Sequence, residues 1–208
     1  MLVELLETSA LLRMLALYTH VLACFAAAAG VVLGDVAIFM PKRVDRLLLQ
    51  KSTRLVSWAL LALWISGLGL IGIDTGFDPA VMLDKPKLLA KLSVVLVLTL
   101  NGWALHRWAF PLLASPQQEP QKAAGLPALL GGISSASWLF AAFLGVAKPL
   151  AIVLLYPGFM ALYGASLLLA IGAALSLGRQ RLARQLLVSD DDTIYSVLQD
   201  EPRGIQAT

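Results

Sequence analysis

Five long apolar blocks divide this chain, and their length constrains the fold more than any other feature of the sequence. They cover approximately residues 11–39, 54–73, 88–110, 126–147 and 151–177. A helix of about 20 apolar residues crosses the hydrocarbon core of a bilayer, so each block is long enough to span a membrane. The blocks lack the alternation of polar and apolar residues that is typical of transmembrane strands. The sequence therefore predicts an all-α integral membrane protein, a bundle of five transmembrane helices.

The composition agrees with a membrane protein of one domain. Hydrophobic residues make up 59% of the chain and charged residues 14%, whereas soluble domains carry about 25% charged residues. We expect a transmembrane domain over residues 1–185 and a flexible tail over residues 186–208. The single cysteine excludes an intrachain disulfide and a CxxC motif. The net charge of +3 gives no argument for nucleic-acid binding, so the lipid bilayer is the implied partner, with membrane or periplasmic subunits left open.

Lysine and arginine are distributed unevenly between the two sides of the predicted bundle. Ten lie in the first loop, the third loop and the beginning of the tail, and four lie on the opposite side. Because cytoplasmic loops carry the excess of positive charge, the C-terminus is predicted to be cytoplasmic and the N-terminus periplasmic. The stretch "CFAAAAG" resembles a signal-peptide cleavage site, but Glu4 and Glu7 stand where a basic region is expected. The first block is therefore interpreted as a span.

Two of the predicted spans carry polar residues along one face, which a step of about 100° per residue identifies. The first span aligns His20, Cys24 and Asp35, and the third aligns Lys91 and His106. A charge at the bilayer centre costs about 2.5–3.5 kcal/mol, so we expect the two polar faces to satisfy each other. Asp35 and His106 have about the same predicted depth near the cytoplasmic side, and we expect them to approach each other. Packing alone would also explain His106.

A copper site is the first interpretation of these residues. His20 and Cys24 are four residues apart, hence on one helix face, and imidazole with thiolate suits soft Cu(I). Met160, on the fifth span, falls at about the depth of His20 and is the predicted third ligand. A packing role is the alternative, since sulfur-containing side chains in apolar helices usually fill space.

A b-type haem is the second interpretation, through His20 or His106. The two histidines cannot share one iron, because spans one and three run in the same direction. At about 1.5 Å of rise per residue, the two rings differ in depth by about 15–20 Å. A five-coordinate haem on His20, a haem shared with a partner subunit, or a contact with quinone stays open.

The stretches "RLVSWALLALWISGLGL" and "KPKLLAKLSVVLVLTLNGWALHRWAFPLL" carry a short series of motifs, and residues 14–113 resemble the membrane domain of the copper-resistance protein D type. In that family a span ending in a Ser-Gly step precedes one with an early lysine, a late asparagine, then basic residues and a proline. An early histidine in the first span also fits. The resemblance implies an inner-membrane location and copper handling, although five spans are fewer than the full family domain has. The matching residues here are His20, Ser66-Gly67, Lys91, Asn101, His106-Arg107 and Pro111.

Three functions follow as alternatives from the sequence. The first is copper handling or transport, the second a membrane redox subunit that binds b-type haem or quinone. The third is a cofactor-free accessory or scaffold protein whose polar residues only specify packing. The sequence contains no recognisable serine–histidine–acid set, paired carboxylates or HExxH motif, so it assigns no catalytic residue.

Overall fold

The computed structural model describes residues 2–40, 44–114, 117–147 and 149–186, with side chains from residue 8 onward except that of residue 114. These ranges are almost entirely helical and contain no strand. Their α-helices are α1 (Leu2–Phe39), α2 (Arg46–Thr75), α3 (Pro79–Leu83), α4 (Pro86–Ala104), α5 (Phe110–Ala114), α6 (Pro120–Ala123), α7 (Gly125–Val146) and α8 (Ala151–Ala173).

Five helical stretches in the described residues are long and apolar enough to cross a membrane. This confirms the all-α class and the number of helices able to span a bilayer. Two of the stretches continue through π-helical turns, at Leu105–Ala109 after α4 and at Ala174–Gly178 after α8. The five stretches are Thr8–Phe39, Arg46–Thr75, Pro86–Leu113, Pro120–Val146 and Ala151–Leu186.

Each predicted span coincides with one of these stretches, but the helices extend beyond the apolar blocks. α2 begins at Arg46 rather than near residue 54, because Asp45 caps it and accepts a hydrogen bond from the Leu48 amide at 2.9 Å. The fifth stretch continues to Leu186 rather than ending near residue 177. The rest of the predicted tail, residues 187–208, lies outside the described residues.

α1 packs along α2 through small side chains, and the two helices form the first packing unit, the α1–α2 pair. A Cβ atom added at Gly30 would lie 2.7 Å from Val56 Cγ2, so this approach requires glycine. At Gly34 a Cβ would lie 3.3 Å from the hydroxyl oxygen of Ser52, which is buried. The face of α1 that meets α2 repeats every three or four residues, at His20, Ala23, Ala27, Gly30, Gly34 and Ala37.

The second packing unit, the α4–α7–α8 bundle, encloses large side chains. Its core contains Phe159, fully buried, with Phe140 and Tyr163, whose ring centroids are 5.1 Å apart. The Tyr163 hydroxyl lies 2.7 Å from that of Ser137, which is also buried. This pair satisfies both hydroxyls inside the bundle without water.

The two units are joined at the end of α1. Arg181 donates a hydrogen bond to the carbonyl of Phe39 at 3.0 Å, and Gln185 donates one to the carbonyl of Ile38 at 2.7 Å. The last carbonyls of a helix have no partner within it, so side chains from the fifth stretch supply them. A small apolar cluster around Leu113 and Leu182 packs beside these contacts.

The helical stretches are distorted near two of their prolines, Pro111 and Pro157. The third helical stretch continues through Pro111 to Ala114, a few residues beyond the apolar block that the sequence places at about residues 88–110. A proline ring clashes with the carbonyl four residues earlier, and the π-helical turn Leu105–Ala109 widens the helix at that point. Near the start of α8, Pro157 follows Leu155, whose backbone is non-helical with φ 49°.

Candidate metal-binding site

A layer of charged side chains marks the predicted periplasmic end of the α1–α2 pair. Arg13 on α1 donates to the carboxylate of Asp74 on α2 at 2.8 Å, and the Lys85 ammonium donates to the Asp74 carbonyl at 3.1 Å. His20 follows Arg13 by two helical turns, and Ser66 precedes Asp74 by a little more than two. At about 1.5 Å of rise per residue, both lie about 10–12 Å inside this layer.

His20 and Ser66 are hydrogen-bonded across the α1–α2 interface. The Nδ1 atom of His20 lies 2.9 Å from the hydroxyl oxygen of Ser66, and that hydroxyl donates to the Ala62 carbonyl at 2.6 Å. Because the one hydrogen of Ser66 is used by Ala62, the proton between His20 and Ser66 is assigned to Nδ1. In the neutral form of His20, Nε2 then carries a lone pair.

Gly67 faces the His20 ring, since a Cβ added there would be in ordinary van der Waals contact with Cε1 of the ring at 3.5 Å. The expectation that the polar face of α1 would be satisfied by α4 is therefore wrong for His20. Its hydrogen-bond partner is on α2, because the small residues of both helices let their backbones approach closely. His20 is seven residues after Arg13, and Ser66 is eight residues before Asp74, so the two lie at about the same depth. These spacings are a signal in the sequence from which the contact between His20 and Ser66 could have been predicted.

Cys24 and Lys91 complete the polar group around His20. Cys24 is a free, exposed thiol one turn after His20 on α1. Lys91, on α4, is partly buried and lies close enough to interact electrostatically with both Cys24 and His20. Lys91, which the sequence places on the polar stripe of α4, is therefore within electrostatic range of both His20 and Cys24 on the polar stripe of α1.

Met160 lies in a different environment. It is partly buried and packs against the core of the α4–α7–α8 bundle, around Phe159 and Tyr163. Within the described residues, no group of three or more histidine, cysteine, aspartate or glutamate side chains could hold a metal ion. Cys24 is four residues after His20 on α1, so its sulfur is the nearest one on that helix to a metal bound at His20.

Asp35 and His106 do not form the expected ion pair. Asp35 is exposed, and among the described side chains it has no ion-pair partner. His106 is also exposed, and its Nδ1 donates to the Gly102 carbonyl at 2.8 Å. Its ring packs edge-on against Phe110, with the ring centroids 5.1 Å apart. The carbonyl one turn back satisfies His106 within its own helix, so it needs no acid.

Asn101 connects two helices of the bundle. It is 6% exposed, and its amide nitrogen donates to the Leu130 carbonyl of α7 at 3.0 Å. On the other side of α4, the indole of Trp64 donates to the hydroxyl of Thr99 at 3.0 Å and connects α4 to α2. The first contact lies within the bundle, and the second connects the bundle, through α4, to the α1–α2 pair.

No family model, curated protein or solved structure matches the chain in the three comparisons made with known proteins.

Proposed function

We propose that this chain is a multi-pass protein of the bacterial inner membrane that handles copper, binding Cu(I) through Nε2 of His20 and the thiolate of Cys24. The proposed orientation has the N-terminus in the periplasm and the C-terminus in the cytoplasm. Two sequence observations support the proposal: the ten-to-four distribution of lysine and arginine, and the resemblance to the copper-resistance protein D type. In this orientation the site lies in the periplasmic half of the bilayer.

The observation that carries the proposal is the hydrogen bond from His20 to Ser66. Histidines that ligate metals almost always donate their other ring N–H to a fixed acceptor, which sets the tautomer and the ring orientation. Here the 2.9 Å contact of Nδ1 with Ser66 leaves Nε2 as the ligating atom. Cys24 follows four residues later, so its sulfur is on a neighbouring position of the same helix face.

The ligand set favours a soft, monovalent ion of low coordination number. Thiolate and imidazole suit Cu(I), which is stable with two ligands, whereas structural zinc takes four. Met160 is not part of the proposed site, because its packing partners belong to the α4–α7–α8 bundle. The positive charge of Lys91 nearby also disfavours a divalent ion more strongly than a monovalent one.

Anaerobic titration with a colorimetric Cu(I) chelator tests the proposal on the detergent-purified protein. We expect one tightly bound Cu(I) in the wild type, and at least a tenfold weaker affinity in His20→Ala and Cys24→Ser. His106→Ala is the matched control, because that histidine has a similar Nδ1 hydrogen bond but no neighbouring thiol. Met160→Leu should bind like the wild type. Equal affinity in the wild type and all four variants would refute the site.

The two rival functions give different results in the same preparation. A b-type haem on His20 or His106 would give a Soret band in protein from haem-replete cells, and a quinone would be recovered by organic extraction. A scaffold without a cofactor would bind neither haem, quinone nor Cu(I). Absorption, metal analysis and organic extraction of one preparation therefore separate all three.

A further inference from the structure

Asn101 is the most deeply buried polar side chain of α4. It lies at the contact of α4 with α7, where it bonds to the carbonyl of Leu130. Only 6% of its surface is exposed, so the hydrogen-bond partners of its amide must lie inside the protein. Both its donor and its acceptor need a partner there.

The orientation of this amide is fixed by its one partner. The Leu130 carbonyl can only accept a hydrogen bond, so the group 3.0 Å from it must be the amide nitrogen of Asn101. Exchanging nitrogen and oxygen would bring two acceptors together. The oxygen Oδ1 therefore points away from Leu130, and no donor in the described part of the chain lies within hydrogen-bonding distance of it.

A buried acceptor without a donor is costly. Leaving one unsatisfied costs about 1–3 kcal/mol, and apolar surroundings raise the cost. The π-helical turn Leu105–Ala109 begins four residues after Asn101, and π-helical turns widen a helix locally, frequently beside functional sites. The orphan oxygen and the widened turn are separate observations on the same segment of α4.

We propose that Oδ1 of Asn101 binds a buried water molecule between α4 and α7. The ligand must be small because the side chain is 94% enclosed, and it must be a donor because Oδ1 only accepts. A metal cation would need several oxygen ligands, and the described residues contain no cluster of acidic or histidine ligands here. Ser134, one turn after Leu130 on α7, carries a hydroxyl on nearly the same helix face and is the second partner we assign to this water.

A structure of the full chain in lipid at about 2 Å resolution or better tests this proposal. We expect a solvent peak within about 3.2 Å of Oδ1 in the wild type. The peak should disappear in Asn101→Leu and persist in Thr99→Val, the matched control that removes a hydrogen bond of α4 on its other side.

Three results would overturn the proposal. Oδ1 could accept directly from a protein donor such as the Ser134 hydroxyl, the wild type could show no solvent peak, or the peak could persist in Asn101→Leu. The result does not depend on the copper site, since Asn101 contacts α7 and His20 contacts α2.

Discussion

The α1–α2 pair and the α4–α7–α8 bundle are both helical, but they are held together in different ways. The packing of the pair depends on small residues, since Gly30, which has no side chain, lets the α1 backbone contact Val56. The bundle depends on volume, with the fully buried ring of Phe159 at its centre. In lipid, apolar surface gives no driving force between helices, so close backbone contact and packing of large side chains are two separate solutions.

The difference also decides where polar chemistry can occur. In the bundle, the hydroxyls of Ser137 and Tyr163 satisfy each other at 2.7 Å, inside the core. In the pair, the small residues bring His20 to Ser66 and leave Cys24 exposed beside them. The small side chains of the pair thus leave Nε2 of His20 and the thiol of Cys24 without hydrogen-bond partners among the described residues. The candidate site therefore depends on how the pair packs.

The largest expected effect is on the bundle. Phe159→Ala removes a fully buried ring, and such substitutions cost about 3–5 kcal/mol in protein cores. Because lipid is as apolar as the core, we expect the cavity part of that cost to dominate. Thermal unfolding in detergent should show a clearly lower Tm. Leu168→Ala is the control and should change the Tm little, because Leu168 of the same helix is 75% exposed.

The α1–α2 pair should be destabilised by adding a methyl group, whereas the bundle is destabilised by removing a ring. Gly30→Ala puts a Cβ 2.7 Å from Val56 Cγ2 and 3.2 Å from its backbone nitrogen, and overpacking of this kind costs about 1–3 kcal/mol. Gly69→Ala on α2 is the matched control, since a Cβ there meets nothing within 4 Å. If both alanine variants had the same Tm, close backbone contact would not hold the pair together.

Ser66→Ala tests whether the packing of the pair sets up the site. Removing the acceptor of His20 frees its tautomer and orientation, and losing such a partner typically weakens metal affinity by about 10–100-fold. Ser57→Ala is the control, because the Ser57 hydroxyl bonds only to the Thr53 carbonyl on the exposed side of α2. Unchanged Cu(I) affinity in Ser66→Ala, measured by chelator competition, would show that Ser66 does not position the ligand.

The smallest expected effect is the coupling free energy between a substitution in the pair and one in the bundle. Phe159→Ala and Gly30→Ala act on different units, so their free-energy changes should add to within about 0.5 kcal/mol in the double variant. Unfolding of the two single variants and the double variant under one detergent condition measures the coupling. A coupling well above that value would mean that the pair and the bundle form one packing unit.

The fold was largely predictable from the sequence because the bilayer fixes the length of each apolar block. The ends of the helices were not, since they depend on local chemistry such as the Asp45 cap and on whether a helix can absorb a proline. At Pro111 a π-helical turn lets the helix continue, whereas at Pro157 the chain breaks two residues earlier at Leu155. Hydrophobicity alone does not distinguish these two outcomes.

The candidate site was predictable only in part. Helical periodicity places His20 and Cys24 on one face of α1, and in the structure Lys91 of α4 is within electrostatic range of both. It did not identify Ser66, because the partner of a helix face depends on which neighbour has small residues at the matching depth. Met160 was predicted as a ligand from its depth, and the structure adds that it packs against the core of the α4–α7–α8 bundle.

The ligands themselves give the most direct test of the account. X-ray absorption at the copper K-edge should be measured on the purified full-length protein loaded with one equivalent of Cu(I). We predict a two-coordinate Cu(I) with one sulfur and one imidazole nitrogen, and loss of the sulfur contribution in Cys24→Ser. A shell without imidazole nitrogen, a spectrum that is unchanged in Cys24→Ser, or failure to retain Cu(I) would contradict the proposed site.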